Sequence, residues 1–271
     1  MVKTFAFLLF AFFNSICFAQ KDTSLRLIKS IAIEASEMAI DNLDNFYILT
    51  NNDQLKKYSA AGDSVAVYND VRRFGKLYSF DVSNPLKVLL FYKDFSSVVL
   101  LDRQLSVRNA VDLRNQNITQ ASTASISYDN NIWVFDAVDN KLKKLDENGE
   151  LLLETVDFRT IFSENFVPQK IIDKDNSVYL YDSSYGVIQF DYYGSFQKKH
   201  ALPNWKNIGI YKNNIVGFYN NGIAVYNTSN LMQQQYQFPT SFGSFNQYLV
   251  GSTTLFTRSK DSVNIYSFKF Y

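Results

Sequence analysis

Short runs of β-branched and aromatic residues recur along the chain, each entered through an Asn or Asp turn and each followed by a second short run and a Gly turn. One copy is Asp44-Asn45 before Phe46-Tyr47-Ile48-Leu49, then Gln54-Leu55-Lys56-Lys57-Tyr58 and Gly62. A second is Asp129-Asn130-Asn131 before Ile132-Trp133-Val134-Phe135, then Lys141-Leu142-Lys143-Lys144-Leu145 and Gly149. A third is Asp175-Asn176-Ser177 before Val178-Tyr179-Leu180-Tyr181, then Gly186-Val187-Ile188-Gln189-Phe190 and Gly194. Weaker copies begin near Val88, Ile215 and Thr254, so that six anchors (Phe46, Val88, Ile132, Val178, Ile215, Thr254) recur at about 42 residues. In the unit around Ile132 the pattern predicts strands at Ala124–Tyr128, Ile132–Phe135, Lys141–Leu145 and Leu151–Glu154, joined by tight turns.

A four-stranded meander repeated radially is the blade of a β-propeller, and a period of 40 to 50 residues suits one blade each. The expected fold is therefore all-β: a six-bladed β-propeller of four-stranded antiparallel blades. The last unit runs out at Tyr271 after its third strand, while Leu25–Ile33 precedes the first unit with strand character, so the N-terminal strand is expected to complete the last blade and remove an unpaired edge. Two β-sandwiches in tandem also give many short strands, but they leave the period unexplained.

The first 19 residues read as a secretory signal peptide: Lys3, the apolar stretch Phe5–Phe13, then Ala19 before Gln20. The stretch is too short to span a bilayer of about 30 Å, and no later run matches it. The expected organisation is a leader at 1–19 and one propeller domain at 20–271, exported to the periplasm or outer membrane, or secreted. Cys17 offers the alternative of a lipidated N-terminus, against which stands Ile16 where a small residue is favoured. Cleavage after Ala19 removes Lys3 and the single Cys, leaving acidic and basic side chains equal in number and no thiol, so that stability in an oxidising compartment rests on packing.

The units at 44–62, 129–149 and 173–194 resemble blades of the NHL-type and related six-bladed propellers, in which an Asp, a turn Asn, an aromatic-apolar strand, a Lys-Phe-Asp-like strand and a Gly turn follow in order. Departures are the missing Asn turn of the second unit, where Pro85 and Lys87 stand, and Gly217 inside a strand of the fifth. The resemblance implies relatives among calcium-dependent lactonases, with carboxylate and Asn ligands, and an amidating lyase with several His ligands. One His in the chain argues against the latter.

Candidate chemistry is sparse. His200, the only His, is expected in an exposed or capping position, since no Gly-x-Ser-x-Gly elbow accompanies it. Asp173-Lys174-Asp175-Asn176-Ser177 has oxygens at calcium-loop spacing but lacks the Gly and the distant Glu, and reads as a turn. There is no phosphate or dinucleotide loop and no basic run, so no nucleic acid is expected as partner. Starts of inner strands line one mouth of a propeller channel. Those positions are expected to carry Glu37, Arg73, Lys76, Thr123, Lys170, Trp205, Lys206 and Asn246, a mostly cationic mouth suited to an anionic small ligand or acidic peptide. Tyr192, Tyr193, Phe242, Phe245 and Tyr248 are candidates for a protein-binding edge. The expected function is a non-catalytic protein-interaction scaffold of the cell envelope, one version being an accessory of an outer-membrane assembly or secretion machine. It is expected to have no cofactor and to act as a monomer or within a hetero-complex with another envelope protein. Alternatives are a calcium-dependent lactonase-like hydrolase or lyase, its axial donors drawn from Glu37, Asp81 and Asn246, and a glycan-binding propeller.

Overall fold

The computed structural model describes residues 24–162, 166–219, 222–238, 242, 245–251 and 254–269. The leader read at 1–19, including Cys17, lies outside them. The first strand, β1 (Ser24–Ala32), belongs to the last sheet. Blade 1 follows with β2 (Ala35–Ile40), β3 (Phe46–Thr50), β4 (Leu55–Tyr58) and β5 (Ser64–Tyr68). Blade 2 is β6 (Ser79–Asn84), β7 (Lys87–Tyr92), β8 (Ser97–Asp102) and β9 (Val107–Asp112), preceded by the one-turn helix α1 (Val71–Phe74). Blade 3 is β10 (Ala121–Ile126), β11 (Ile132–Asp136), β12 (Lys141–Leu145) and β13 (Leu151–Glu154). Blade 4 is β14 (Lys170–Lys174), β15 (Ser177–Asp182), β16 (Gly186–Phe190) and β17 (Phe196–His200). Blade 5 is β18 (Lys206–Tyr211), β19 (Asn214–Tyr219), β20 (Gly222–Asn227) and β21 (Gln233–Gln237). Blade 6 is β22 (Gln247–Val250), β23 (Thr254–Arg258), β24 (Ser262–Lys269) and β1, which runs antiparallel to β24 from Ser24 opposite Lys269 to Ala32 opposite Ser262. These are six four-stranded antiparallel blades in a ring, closed by the N-terminal strand. Among the described residues no helix is long and apolar enough to cross a membrane.

The second strands are apolar throughout rather than alternating, and the ring explains why. Each blade is covered on both faces, so alternate side chains enter opposite seams. On β7, Val88 and Leu90 join Tyr47, Leu49 and Leu55 between blades 1 and 2, while Leu89 and Phe91 join Ile132 and Val134 between blades 2 and 3. On β11 the next residues, Trp133 and Phe135, pack with Phe158, Phe166 and Phe190 between blades 3 and 4. The core is thus a set of inter-blade seams, and each fully buried aromatic stabilises its seam by about 1.5–3 kcal/mol. The Asp175-Asn176 turn has both residues left-handed (φ +50° and +63°), the two-residue turn whose twist suits an antiparallel hairpin. Of the stretch read as a turn, Asp173 and Lys174 end β14 and Asp175-Asn176 form the turn itself.

Candidate functional site

Aligning the six blades on their first-to-second strand pairing puts Glu37, Ser79, Thr123, Lys170, Lys206 and Gln247 at one level of the inner strands, opposite Leu49, Phe91, Phe135, Tyr181, Phe218 and Arg258. Four of these positions, Glu37, Thr123, Lys170 and Lys206, are those expected from the sequence. The others correct it. Arg73 lies on α1 with its guanidinium 4.8 Å from the Phe74 ring centroid, and Lys76 is on the connector that follows. Both are exposed on the rim, because the helical turn delays the inner strand until Ser79. Asn246 ends the connector one residue before β22, and Gln247 takes the level assigned to it.

Trp205 is the larger correction. Its indole is buried in the seam between blades 4 and 5, and its carbonyl accepts the Tyr181 hydroxyl. Gly217, which departs from the repeat, is explained by the same packing: a Cβ there would meet the Trp205 ring at 2.8 Å. The bland residue makes room for the indole.

The channel is less cationic than the sequence implies, since Ser79 and Asp81 stand where Arg73 and Lys76 were expected. Glu37 on blade 1 feels Lys170 on blade 4, directly across the ring, and Arg258 on blade 6. Burial pushes the Glu37 carboxyl above the ordinary carboxylate range, with both cations pulling it back. Burial likewise pushes the Lys170 ammonium below the usual lysine range, opposed by Asp81 and Glu37. Lys170 is open to water by accessible area yet walled by protein on all sides, as a side chain standing in an axial channel must be. Its Nζ donates to the Ile208 carbonyl at 2.9 Å. The seam between blades 6 and 1 is closed by polar contacts at the same level. Gln247 Nε2 donates to Met38 O (2.7 Å), Gln247 Oε1 accepts from Met38 N (2.9 Å) and from Arg258 Nε (3.1 Å), and Arg258 Nη1 donates to Ala35 O (2.7 Å).

Asp81 and Asp173, two carboxylates the sequence offered to a cation, are engaged in ties between blades. Asp81 accepts from Ser125 Oγ and from the Ile126 N–H (2.8 Å), tying blade 2 to blade 3, and from the Ser83 N–H (2.8 Å). Asp173 accepts through Oδ2 from Ser127 Oγ (2.8 Å), the Tyr128 N–H (3.2 Å) and Trp133 Nε1 (2.8 Å), tying blade 4 to blade 3. Burial nevertheless raises its carboxyl above the ordinary range. Among the described residues no three His, Cys, Asp or Glu side chains come together as metal ligands.

No protein-family model and none of the curated proteins matches the chain. Solved structures do. A streptogramin B lyase structure is 15% identical with a TM-score of 0.59, covering 86% of this chain and 78% of that one. A catalytically inactive virginiamycin B lyase from Staphylococcus aureus, solved with quinupristin, is 11% identical with a TM-score of 0.60, covering 91% and 99%. The WD40 domain of Neurospora crassa Pan2 is 12% identical with a TM-score of 0.65, covering 90% and 95%. At such identities the likeness is one of fold: lyases and a WD40 domain share the propeller.

His200 corrects a further expectation. It is 1% exposed, at the end of β17, its ring edge-on to Tyr226 of blade 5 and its Nε2 3.2 Å from Gln189 Oε1. Its Nδ1 has no hydrogen-bond partner among the described residues. Burial, with Lys198 nearby, pushes the imidazole down to about 4, so it is a neutral packing element. Its place on an otherwise polar strand, Gln197-Lys198-Lys199-His200, gave no sign of this.

The two ends of the ring differ in what they present. First-to-second and third-to-fourth turns share one face. There Leu43, Leu86, Tyr128 and Tyr193 of blades 1 to 4 are each more than half exposed. A depression of about 230 Å³ opens among the same turns, lined by Asn42, Asn84, Pro85, Tyr128, Asp173 and Lys174. Tyr128 stacks on Tyr192 at 4.2 Å. On the opposite face a cleft of about 370 Å³ lies between blades 5 and 6, where Lys206 and Asn246 meet. Phe242, Phe245 and Tyr248 pack against one another there, so of the candidate edge aromatics only Tyr193 stands fully in solvent.

Proposed function

We propose that this protein is an exported, non-catalytic β-propeller that holds another protein of the cell envelope against the face carrying Leu43, Leu86, Tyr128 and Tyr193. The observation that carries the reading is this set of large apolar side chains, all on turns of one face in four consecutive blades and grouped about a shallow polar depression. Turns of a closed ring are fixed in position by the blades behind them, so little ordering entropy is lost when a partner docks. The channel supports the same reading: Glu37, Asp81, Lys170 and Arg258 compensate one another across it rather than presenting a base, a nucleophile and an oxyanion donor to a common point.

The test is affinity capture from envelope membranes using the wild-type chain and the double variant Leu43→Glu, Leu86→Glu, both positions being exposed and free to change without unfolding the ring. A partner recovered in near-equal amount with the wild type, and about tenfold less with the variant, is the expected result. Recovery of no protein above background, or equal recovery by both chains, overturns the proposal.

A further inference from the structure

The cleft between blades 5 and 6 has an unusual complement of side chains. Its walls include Phe218, Phe238 and Tyr248, stacked with ring centroids 4.9 Å (Phe218 to Tyr248) and 5.3 Å (Phe238 to Tyr248) apart. Around this aromatic wall stand Lys206 and the carboxamides of Asn204, Asn207 and Asn246. Lys206 is the one charged side chain among the described lining residues.

None of these four polar heads has a hydrogen bond or ion pair to another described residue. Lys206, Asn204 and Asn246 are exposed and Asn207 is half-buried, so these heads are open to the cleft, whereas several lysines elsewhere in the ring are committed. Lys57 donates to the Arg103 carbonyl, Lys170 to that of Ile208, Lys143 to Asp136 and Asp139, and Lys144 to Asp129. The pairing of β18 with β19 slips between Lys206 and Gly209, and Asn204 and Asn207 both take left-handed backbone (φ +64° and +49°). The bulge interrupts the inner strand where it meets the cleft, as the same pairing is interrupted in blades 1 and 3 between Ala35 and Glu37 and between Ala121 and Thr123.

We infer that this cleft binds a small carboxylic acid with a flat apolar body. The carboxylate pairs with Lys206 and accepts from the Asn carboxamides, and the flat body lies along the aromatic wall. Each part follows from the lining: one unpaired cation calls for one anion, neutral carboxamides supply orientation without further charge, and aromatic faces favour a planar partner. The volume, about 370 Å³, lies at the small end of ligand pockets. The site is on the face opposite Leu43 and Leu86 and stands independently of the partner reading above.

Isothermal titration calorimetry of the purified chain with indole-3-acetate tests this, with acetate and indole-3-acetamide as the two halves of the chemistry. Saturable binding of indole-3-acetate, at least about tenfold weaker for the uncharged amide and for acetate, is the expected result. Lys206→Met is expected to weaken indole-3-acetate about tenfold, while Leu86→Glu on the far face leaves it unchanged. No saturable binding, equal affinity for acid and amide, or an unaltered affinity in Lys206→Met overturns the inference.

Discussion

The seams between blades 3 and 4 and between blades 5 and 6 are built from the same materials and finished differently. Both are filled by interlocking aromatic rings: Phe135, Phe158 and Phe190 in one, Phe218, Phe238 and Tyr248 in the other. In the first seam one carboxylate oxygen of Asp173 collects the Trp133 indole, the Ser127 hydroxyl and the Tyr128 amide across the blades, while its other oxygen, Oδ1, is buried with no hydrogen-bond partner among the described residues. In the second, Lys206 and three Asn carboxamides line the opening with no such matching. Aromatic burial alone closes a seam; matched polar groups fix its register, and unmatched ones at an opening are left for a ligand.

The largest test of this contrast is Asp173→Ala. It strands the Trp133 N–H and the Ser127 hydroxyl in a buried seam, and a loss of about 3 kcal/mol is expected in urea unfolding. A loss under about 1 kcal/mol would show that the aromatic packing holds the seam without the carboxylate. The neighbouring seam between blades 4 and 5 provides a pH counterpart. His200 is neutral in the fold with its imidazole pushed down to about 4, whereas in the unfolded chain it takes up a proton near pH 6.5. The unfolded state therefore binds more protons between these values, and stability falls as pH drops from about 6.5 to 4, by up to about 3 kcal/mol. Urea midpoints measured across that range should slope for the wild type and be flatter for His200→Gln.

Trp133→Phe keeps most of the ring burial but leaves Asp173 without its indole donor, and about 2 kcal/mol is expected. At the other seam, Lys206→Met and Asn246→Ala remove no side-chain bond to another described residue and should each change stability by less than about 0.5 kcal/mol. A cost near that of Trp133→Phe, read by thermal unfolding, would mean that the second seam is matched after all.

The contrast also marks how far the chain could be read unaided. Blade number, closure and strand order follow from the spacing of Asn turns and apolar runs, because the turns need left-handed residues and the runs need two covered faces. Glu37, Thr123, Lys170 and Lys206 follow because strand register propagates from the turn. Arg73 and Lys76 were misplaced because α1 intervenes where the repeat has no counterpart. Trp205 was misplaced because its burial depends on Gly217, a residue on a different strand whose only contribution is the space it leaves. Asp173, read as a turn residue by its neighbours, acts across a blade boundary to Trp133, forty residues earlier in the chain. Pairings of that kind are set by the ring and leave no periodic trace.

The pairing of β1 with β24 carries a kinetic consequence. Ser24 finds Lys269 only when nearly the whole polypeptide is available, so the last sheet is the most non-local element of the fold and is expected to lock late. Until then blades 1 and 6 each expose a flank that the finished circle hides. A protease that removed β1 would leave the outer edge of blade 6 unpaired, while the Gln247–Met38 and Arg258–Ala35 contacts still join blades 6 and 1.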